Sequence, residues 1–259
     1  IAIENSIEGG VSATQDALAV APELRMVGEY MVPVRFVLAT APGTAMSGVT
    51  TVAAHAVAYA QRRTWLETTL PQHHHVPAAS NVQAALSVVD GGLADAAIAP
   101  PGITEQAAVE IIAENIGDNP DAATRFVLVQ KGGKAPARTG ADKTSIIAEL
   151  PDDRAGGLLE MLEQFATRGV NLSLLESRPV GDSMGRYRFV IDLDGHIDDE
   201  RVADALMGLR RFSPNVIYLG SYPRANGHVP SVSQHNSDEA FAEARAWISR
   251  LRDGSADTA

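Results

Sequence analysis

The sequence predicts an α/β protein of two domains, and three observations carry that prediction. The chain has 259 residues, more than one ordinary core holds. Residues 1–130 alternate short apolar runs with helical stretches, the rhythm of parallel strands with covering helices. The second half then runs strand, helix, strand, strand, helix, strand, which is the ferredoxin-like βαββαβ order.

Composition narrows the functional classes. With 45% hydrophobic and 20% charged residues the chain is a folded, globular one. A net charge of -11 repels nucleic acid and anionic lipid, and no basic run offers a local exception. The same charge opposes an anionic substrate, so an anion site has to gather its own arginine, backbone N–H groups or helix N-termini; Arg125 stands out for that reason. The absence of Cys excludes a disulfide framework or a Cys-based zinc site and fits a reducing compartment. No stretch has the apolar length of a membrane span, and the cytoplasm is the expected location. The opening run Ile1-Ala2-Ile3, without Met, reads as the middle of a buried strand and predicts further chain upstream.

Along the first domain, residues 1–3 lead into the polar turn Glu4-Asn5-Ser6, and Ser12-Ala13-Thr14-Gln15 has the form of a capping box opening a helix. Extended segments are predicted at 26–27, 34–38 and 49–52, with a helix over 57–69. Residues 76–79 precede Ser80-Asn81-Val82-Gln83, a second capping box, and a helix over 84–89. A short strand follows at 96–99, a helix from Gly102 through Ile116, and a β-rich run over 125–130. Residues 131–142, rich in Gly, Pro and Ala, form the expected linker. Beyond it lie strands at 144–150, 171–176, 187–193 and 216–220 and helices at 156–168 and 199–212. The second domain is placed at 143–224. The tail, 225–259, carries one helix opened by Asn236-Ser237-Asp238-Glu239, with fraying expected beyond Asp253.

Three blocks give this chain a likeness. Glu4-Asn5-Ser6 with Gly9-Gly10, then Thr124-Arg125-Phe126, then Glu176-Ser177-Arg178-Pro179, stand in the order and spacing of the prephenate dehydratase family, which the chain resembles from residue 1 to about 224. The resemblance implies a two-lobed, periplasmic-binding-protein-like catalytic domain, its N-terminal strands expected upstream of this sequence, followed by an ACT regulatory domain. It implies conversion of prephenate to phenylpyruvate, water and CO2, with phenylalanine as the allosteric ligand. In the family the threonine of the TRF motif is most closely tied to catalysis, which falls on Thr124. Arg125, Phe126, Asn5, Ser6 and Gln61 join it as catalytic candidates, and Glu4, Ser80 and Asn81 as substrate contacts. The phenylalanine site maps to Gly156, Gly157, Leu158 and Leu159, an approximate match to the family's GALV motif, and to Asn171, Leu172, Glu176, Ser177, Arg178 and Pro179. Because that site usually spans paired ACT domains, a homodimer or homotetramer is implied. The chain departs from many relatives at Ala54, where they carry a serine, while Gln61 is retained. A non-catalytic phenylalanine sensor and an arogenate dehydratase stay open as alternatives.

The residues suit that chemistry. Prephenate loses its ring hydroxyl and a carboxylate as the ring becomes aromatic, so the enzyme mainly has to assist departure of the hydroxyl. A hydrogen bond or proton from Thr124 in a water-excluding pocket supplies that help, worth about 10²- to 10⁴-fold. Arg125 could pair a substrate carboxylate bidentately, yet neighbours in a strand alternate faces, so Arg125 faces away if Thr124 faces the cleft. Asn5 and Ser6 sit at a strand end, where α/β sheets bind ligands. No metal or organic cofactor is called for, and no phosphate loop or dinucleotide fingerprint is present. His73-His74-His75 reads as a solvated loop, Glu176 with Arg178 as an ordinary surface ion pair were the motif not complete, and Trp65 and Phe189 as core residues.

Overall fold

The computed structural model describes residues 1–181 and 185–254, so the last five residues of the predicted frayed end lie outside it. In chain order its elements are β1 (Ala2–Asn5), β2 (Gly9–Gly10), α1 (Ser12–Ala19), β3 (Leu24–Pro33), β4 (Val37–Thr40), β5 (Thr51–Ala54), α2 (Ala56–Ala60), α3 (Arg63–Thr69), β6 (His74–Pro77), α4 (Asn81–Val89), β7 (Ala96–Ala99), β8 (Glu110–Ala113), β9 (Ala123–Lys131), β10 (Asp142–Glu149), α5 (Gly157–Ala166), β11 (Leu172–Pro179), β12 (Tyr187–Asp194), α6 (Glu200–Phe212), β13 (Val216–Pro223) and α7 (Asp238–Arg252). They fall into two compact units that cut across linear order. One comprises residues 5–9 and 32–124; the other comprises residues 1–4, 10–31 and the chain from Arg125 onward.

The unit of residues 5–9 and 32–124 is a five-stranded sheet in the order β6-β5-β7-β4-β8. β5 runs parallel to β6 and β7, whereas β4 is antiparallel to β7 and β8, so one reversed strand interrupts the parallel sheet that the sequence suggested. β4 and β7 are buried along their whole length, as central strands covered on both faces must be. One face packs on α4 through Ala84, Ala85 and Val88; the other packs on α2 and α3 through Ala58, Leu66 and Leu70, with Trp65 at its margin.

Two helices expected here are different. Gly102 to Ile116 is not a helix: one 3-10 turn at Pro101–Glu105, anchored by the fully buried Ile103, gives way to β8. Stiff β-branched Val109, Ile111 and Ile112 favour that extended edge over a helix interior. The stretch 57–69 is a helix broken at Gln61 and Arg62. The break gives α3 its own start, where Asp118 accepts from the Thr64 and Trp65 N–H groups at 3.0 and 2.9 Å. The histidine run is not a loop either: His74 and His75 lie in β6, His75 stacks on Tyr59 with centroids 3.9 Å apart, and His73 Nε2 lies 2.9 Å from the Tyr59 hydroxyl.

The other unit holds two four-stranded sheets, β2-β1-β9-β3 and β11-β12-β10-β13. The second is wholly antiparallel and has the predicted βαββαβ order. Its alternating side chains build two layers. Ile146, Ala148, Phe189 and Ile191 face Met161 and Phe165 of α5 and Val202 and Leu209 of α6. Ile147, Val190, Leu219 and Tyr222 form a core with Ile3, Leu18, Met26 and Val127. A register shift in β10 at Ser145/Ile146 lies opposite Gly220, and there a Cβ would strike the Met26 carbonyl of β3. With φ at +149°, this bulge brings two backbones closer than any side chain allows. In α1 the expected capping box is absent: Val11 is the N-cap, without a side-chain bond, because Gln15 is buried and turned to another partner. The Ser80 and Ser237 caps do form, at 3.1 Å to Gln83 N and 3.3 Å to Ala240 N. Among the described residues no helix is long and apolar enough to cross a membrane.

Replacing Gly220 by Ala is expected to destabilise by about 2 kcal/mol or more, through strain and backbone displacement. Gly102→Ala, with open space at its Cβ, serves as the near-neutral control. Urea midpoints at constant m-value read the difference.

Candidate active site

Asn5 ends β1 and Thr124 is the second residue of β9, neighbouring strands of one sheet. Asn5 Nδ2 donates to Thr124 Oγ1 at 3.0 Å. The other end of the amide is committed, since Oδ1 accepts from Ile7 N at 2.9 Å and Glu8 N at 3.2 Å in an Asx-type turn. The turn therefore decides which end of Asn5 meets Thr124. Because the threonine oxygen is the acceptor, its own proton stays free for another partner. Ser6 is spent on backbone: its Oγ accepts from Ala123 N at 3.0 Å and its N donates to Ala123 O at 2.9 Å.

Gln61, the C-cap of α2, joins this group through a residue the sequence reading missed. Its Nε2 donates to Glu8 Oε1 at 2.9 Å. With Glu8 N on Asn5 Oδ1, a line of hydrogen bonds runs Gln61, Glu8, Asn5, Thr124. The one signal for Glu8 was its place three residues after an Asn able to close a turn.

Arg125 has a different environment. Its side chain is 4% exposed. Nε donates to Glu29 at 2.6 Å, Nη1 to Glu4 at 3.2 Å and to Asp192, and Nη2 to the Tyr222 hydroxyl at 2.7 Å. Lys143 adds a second cation 3.1 Å from Glu29, and Ser145 Oγ is 2.6 Å from the phenol. Burial alone works against the charge on Arg125, but Asp192 and Glu29 outweigh it and hold its pKa above the ordinary guanidinium value. Burial likewise opposes ionisation of Glu29, and Arg125 with Lys143 overcomes it, holding the carboxyl below its usual range. Burial pushes the Tyr222 phenol up, so it stays neutral. Glu4, a candidate substrate contact, is thus an acceptor for Arg125. Phe126 is half-buried beside it.

The other substrate candidates also carry structural bonds: Ser80 caps α4, and Asn81 Oδ1 accepts from His55 N at 2.9 Å. Ala54 is fully buried at the end of β5.

The residues of the expected phenylalanine site gather on α5 and β11. Gly156 takes a left-handed φ of +83° as N-cap of α5, Gly157 opens the helix, and Leu158 and Leu159 are exposed. Asn171 Nδ2 donates to Asp194 at 2.9 Å, and Leu172 packs against the helix-side core. In β11 Glu176 and Arg178 do not pair with each other; both make contacts with α1. Glu176 Oε2 accepts from Gln15 Nε2 at 2.6 Å, over Gly10, where a Cβ would occupy the same space. Arg178 and Arg188 reach Asp16 at 2.9 and 2.7 Å and hold its carboxyl low, Arg178 contributing most. Ser177 and Pro179 are exposed.

The prephenate dehydratase family model matches residues 1–134 and the ACT domain model matches residues 144–211. The chain belongs to the prephenate dehydratase family. A prephenate dehydratase of Mycolicibacterium gilvum is 42% identical over 254 residues, covering 98% of this chain and 80% of the relative. The crystal structure of prephenate dehydratase from Arthrobacter aurescens in complex with L-Phe is 49% identical, with a TM-score of 0.91 over 98% of this chain and 83% of its own. A structure described as a novel type of quorum quenching acylase, GqqA, is 30% identical, with a TM-score of 0.73 over 86% of this chain and 80% of its own. The prephenate dehydratase activity is that of a carbon-oxygen lyase, and the ACT model places a regulatory fold after it.

Arg125→Met would leave the carboxylates of Glu29, Asp192 and Glu4 facing one another without their principal cation, which should cost about 3–5 kcal/mol. The wild-type contribution is sign-definite: Glu29 has a depressed folded pKa, so its stabilisation is present above the unfolded value and is lost as pH falls through the folded one. Urea unfolding across pH 7 to 3 should therefore show wild type losing stability as the pH falls and Arg125→Met losing less.

Proposed function

We propose that this chain eliminates water and CO2 from prephenate with the Thr124 hydroxyl as the donor to the departing ring oxygen. The carboxylate carbon leaves as CO2, its bonding electrons enter the ring, and the C–O bond breaks as the leaving hydroxyl takes up a proton and becomes water. Thr124 delivers that proton or its hydrogen bond and is replenished from solvent, because a threonine is too weak an acid to stay ionised. What carries this reading is the direction of the Asn5 bond: an oxygen that accepts from Nδ2 has its proton to give and is polarised toward giving it. Gln61, on the same hydrogen-bonded line, adds an amide donor for an anionic substrate.

Arg125 is assigned to holding β9 in place rather than to the substrate, with Phe126 as packing beside it. Its donors are engaged with Glu29, Glu4, Asp192 and Tyr222. Ser6, Glu4, Ser80 and Asn81 likewise shape the backbone around the site. Phenylalanine is the regulatory ligand, bound in a homodimer or homotetramer at the α5 N-terminus and β11. The ACT domain match and the phenylalanine-bound Arthrobacter relative support the ligand, and the pairing follows from the family resemblance. The cytoplasm is the compartment that fits an aromatic amino acid biosynthetic enzyme without cysteine.

Two measurements check this. Phenylpyruvate formation at saturating prephenate should fall about 10²- to 10⁴-fold in Thr124→Ala and much less in Thr124→Ser, which keeps the hydroxyl. Unchanged turnover in Thr124→Ala rejects the assignment. Calorimetry should detect phenylalanine binding that Gly157→Val or Arg178→Ala weakens; an indifferent pair of variants rejects the ligand site.

A further inference from the structure

Among the described residues Arg62 is the largest fully buried side chain, 1% exposed, and it sits at the break between α2 and α3, next to Gln61. Its guanidinium lies 3.8 Å from the centroid of the Phe36 ring. Nη1 donates to Gln61 Oε1 at 2.9 Å and to Ala58 O at 3.2 Å, while Nε, also buried, has no hydrogen-bond partner among the described residues. Among the described residues no carboxylate comes within ion-pair distance of it. Burial pushes the guanidinium down to about 10, and the nearby Asp118, bound to the N-terminus of α3, recovers part of that. A buried arginine that is neither neutralised by a carboxylate nor fully hydrogen-bonded is expensive to keep. Arg125, also buried, is surrounded by acceptors; Arg62 is not.

What Arg62 does make is a charge-assisted bond to the amide oxygen of Gln61. That bond fixes the amide so that the NH2 points the other way, onto Glu8, and a cation on the oxygen polarises the NH2 into a stronger donor. The line of hydrogen bonds to Thr124 therefore begins at Arg62: Nη1 to Gln61, Gln61 to Glu8, Glu8 N to Asn5, and Asn5 to Thr124. We propose that Arg62 is a positioning residue for prephenate turnover, acting through Gln61: it orients and polarises the amide so that one N–H of Nε2 is held on Glu8 and the other is presented to the anionic substrate. This rests on the reading of Gln61 as a substrate-facing donor. The Arg62 cation, with no carboxylate at ion-pair distance among the described residues, adds positive charge beside Gln61 in a chain carrying -11, which favours a substrate with two carboxylates.

The test is a double-mutant cycle in the full chain, with Arg62→Met and Gln61→Ala made singly and together. Met matches the volume and removes the charge, and replacing a buried charge by an apolar side chain is often neutral or stabilising, so thermal melting should show Tm retained or raised. Despite that, kcat/KM for prephenate is expected to fall about 10- to 100-fold, the cost of a displaced contact group. In the Gln61→Ala background Arg62→Met should cost nothing further. A stable Arg62→Met with wild-type kinetics, or losses that multiply in the double variant, overturns the proposal while leaving Gln61 in place. Wild-type turnover in Gln61→Ala removes the reading beneath it instead, and the proposal with it. Should Arg62→Met melt early, Arg62→Lys decides: retaining the charge without the planar fork, it should fold and show an intermediate loss that again vanishes without Gln61. An undiminished loss rejects the role.

Discussion

The site depends on one hydrogen bond whose direction is fixed from outside it. Asn5 could meet Thr124 with either end of its amide, and the two choices have opposite chemical meaning. The N–H groups of Ile7 and Glu8 take the oxygen, so the NH2 is what Thr124 receives. A short polar turn after β1 thus converts a threonine, by itself a weak donor, into one whose lone pair is occupied and whose proton is available. Extending that line through Glu8 and Gln61 to Arg62 gives the network a cationic end.

Strand geometry separates this chemistry from the stability of the unit next to it in sequence. Thr124 and Arg125 are adjacent in β9 and so project to opposite faces. Arg125 is consumed by acidic and phenolic partners on β1, β3, β12 and β13, two of them from the βαββαβ fold. An ion cluster of that kind is a poor source of net stability but costly to break, and it fixes register among the strands it joins. The contacts of Glu176 and Arg178 with Gln15 and Asp16 of α1 tie the same fold to the segment that follows Gly10. Regulatory and catalytic sequences thus share a core within one compact unit.

Much of this was legible beforehand. The βαββαβ order, the buried strand at residues 96–99 and the caps at Ser80 and Ser237 came from periodicity and cap residues, and the family motifs named Thr124 and Asn5, which the structure joins by a hydrogen bond. What escaped was decided by long-range partners. The N-cap role predicted for Ser12 failed because Gln15 answers to Glu176, 161 residues away. The helix expected over 102–116 failed because an edge of the five-stranded sheet was available to Ile111 and Ile112. Glu176 and Arg178 have the spacing of a surface pair, and only the fold reveals α1 as their partner. Glu8 offers only its place after Asn5 and Arg62 offers nothing local, since an exposed acid in a turn and an arginine after a helix are unremarkable until Gln61 is found between them.

The polarity of the Asn5 bond is tested most directly by Asn5→Asp, an isosteric change. The carboxylate still accepts from Ile7 N and Glu8 N, so the turn and the fold survive, but its second oxygen now takes the Thr124 proton. At saturating prephenate, kcat for phenylpyruvate formation should drop about 100-fold or more with the unfolding midpoint unchanged. A folded Asn5→Asp protein that turns over at close to the wild-type rate would contradict the account.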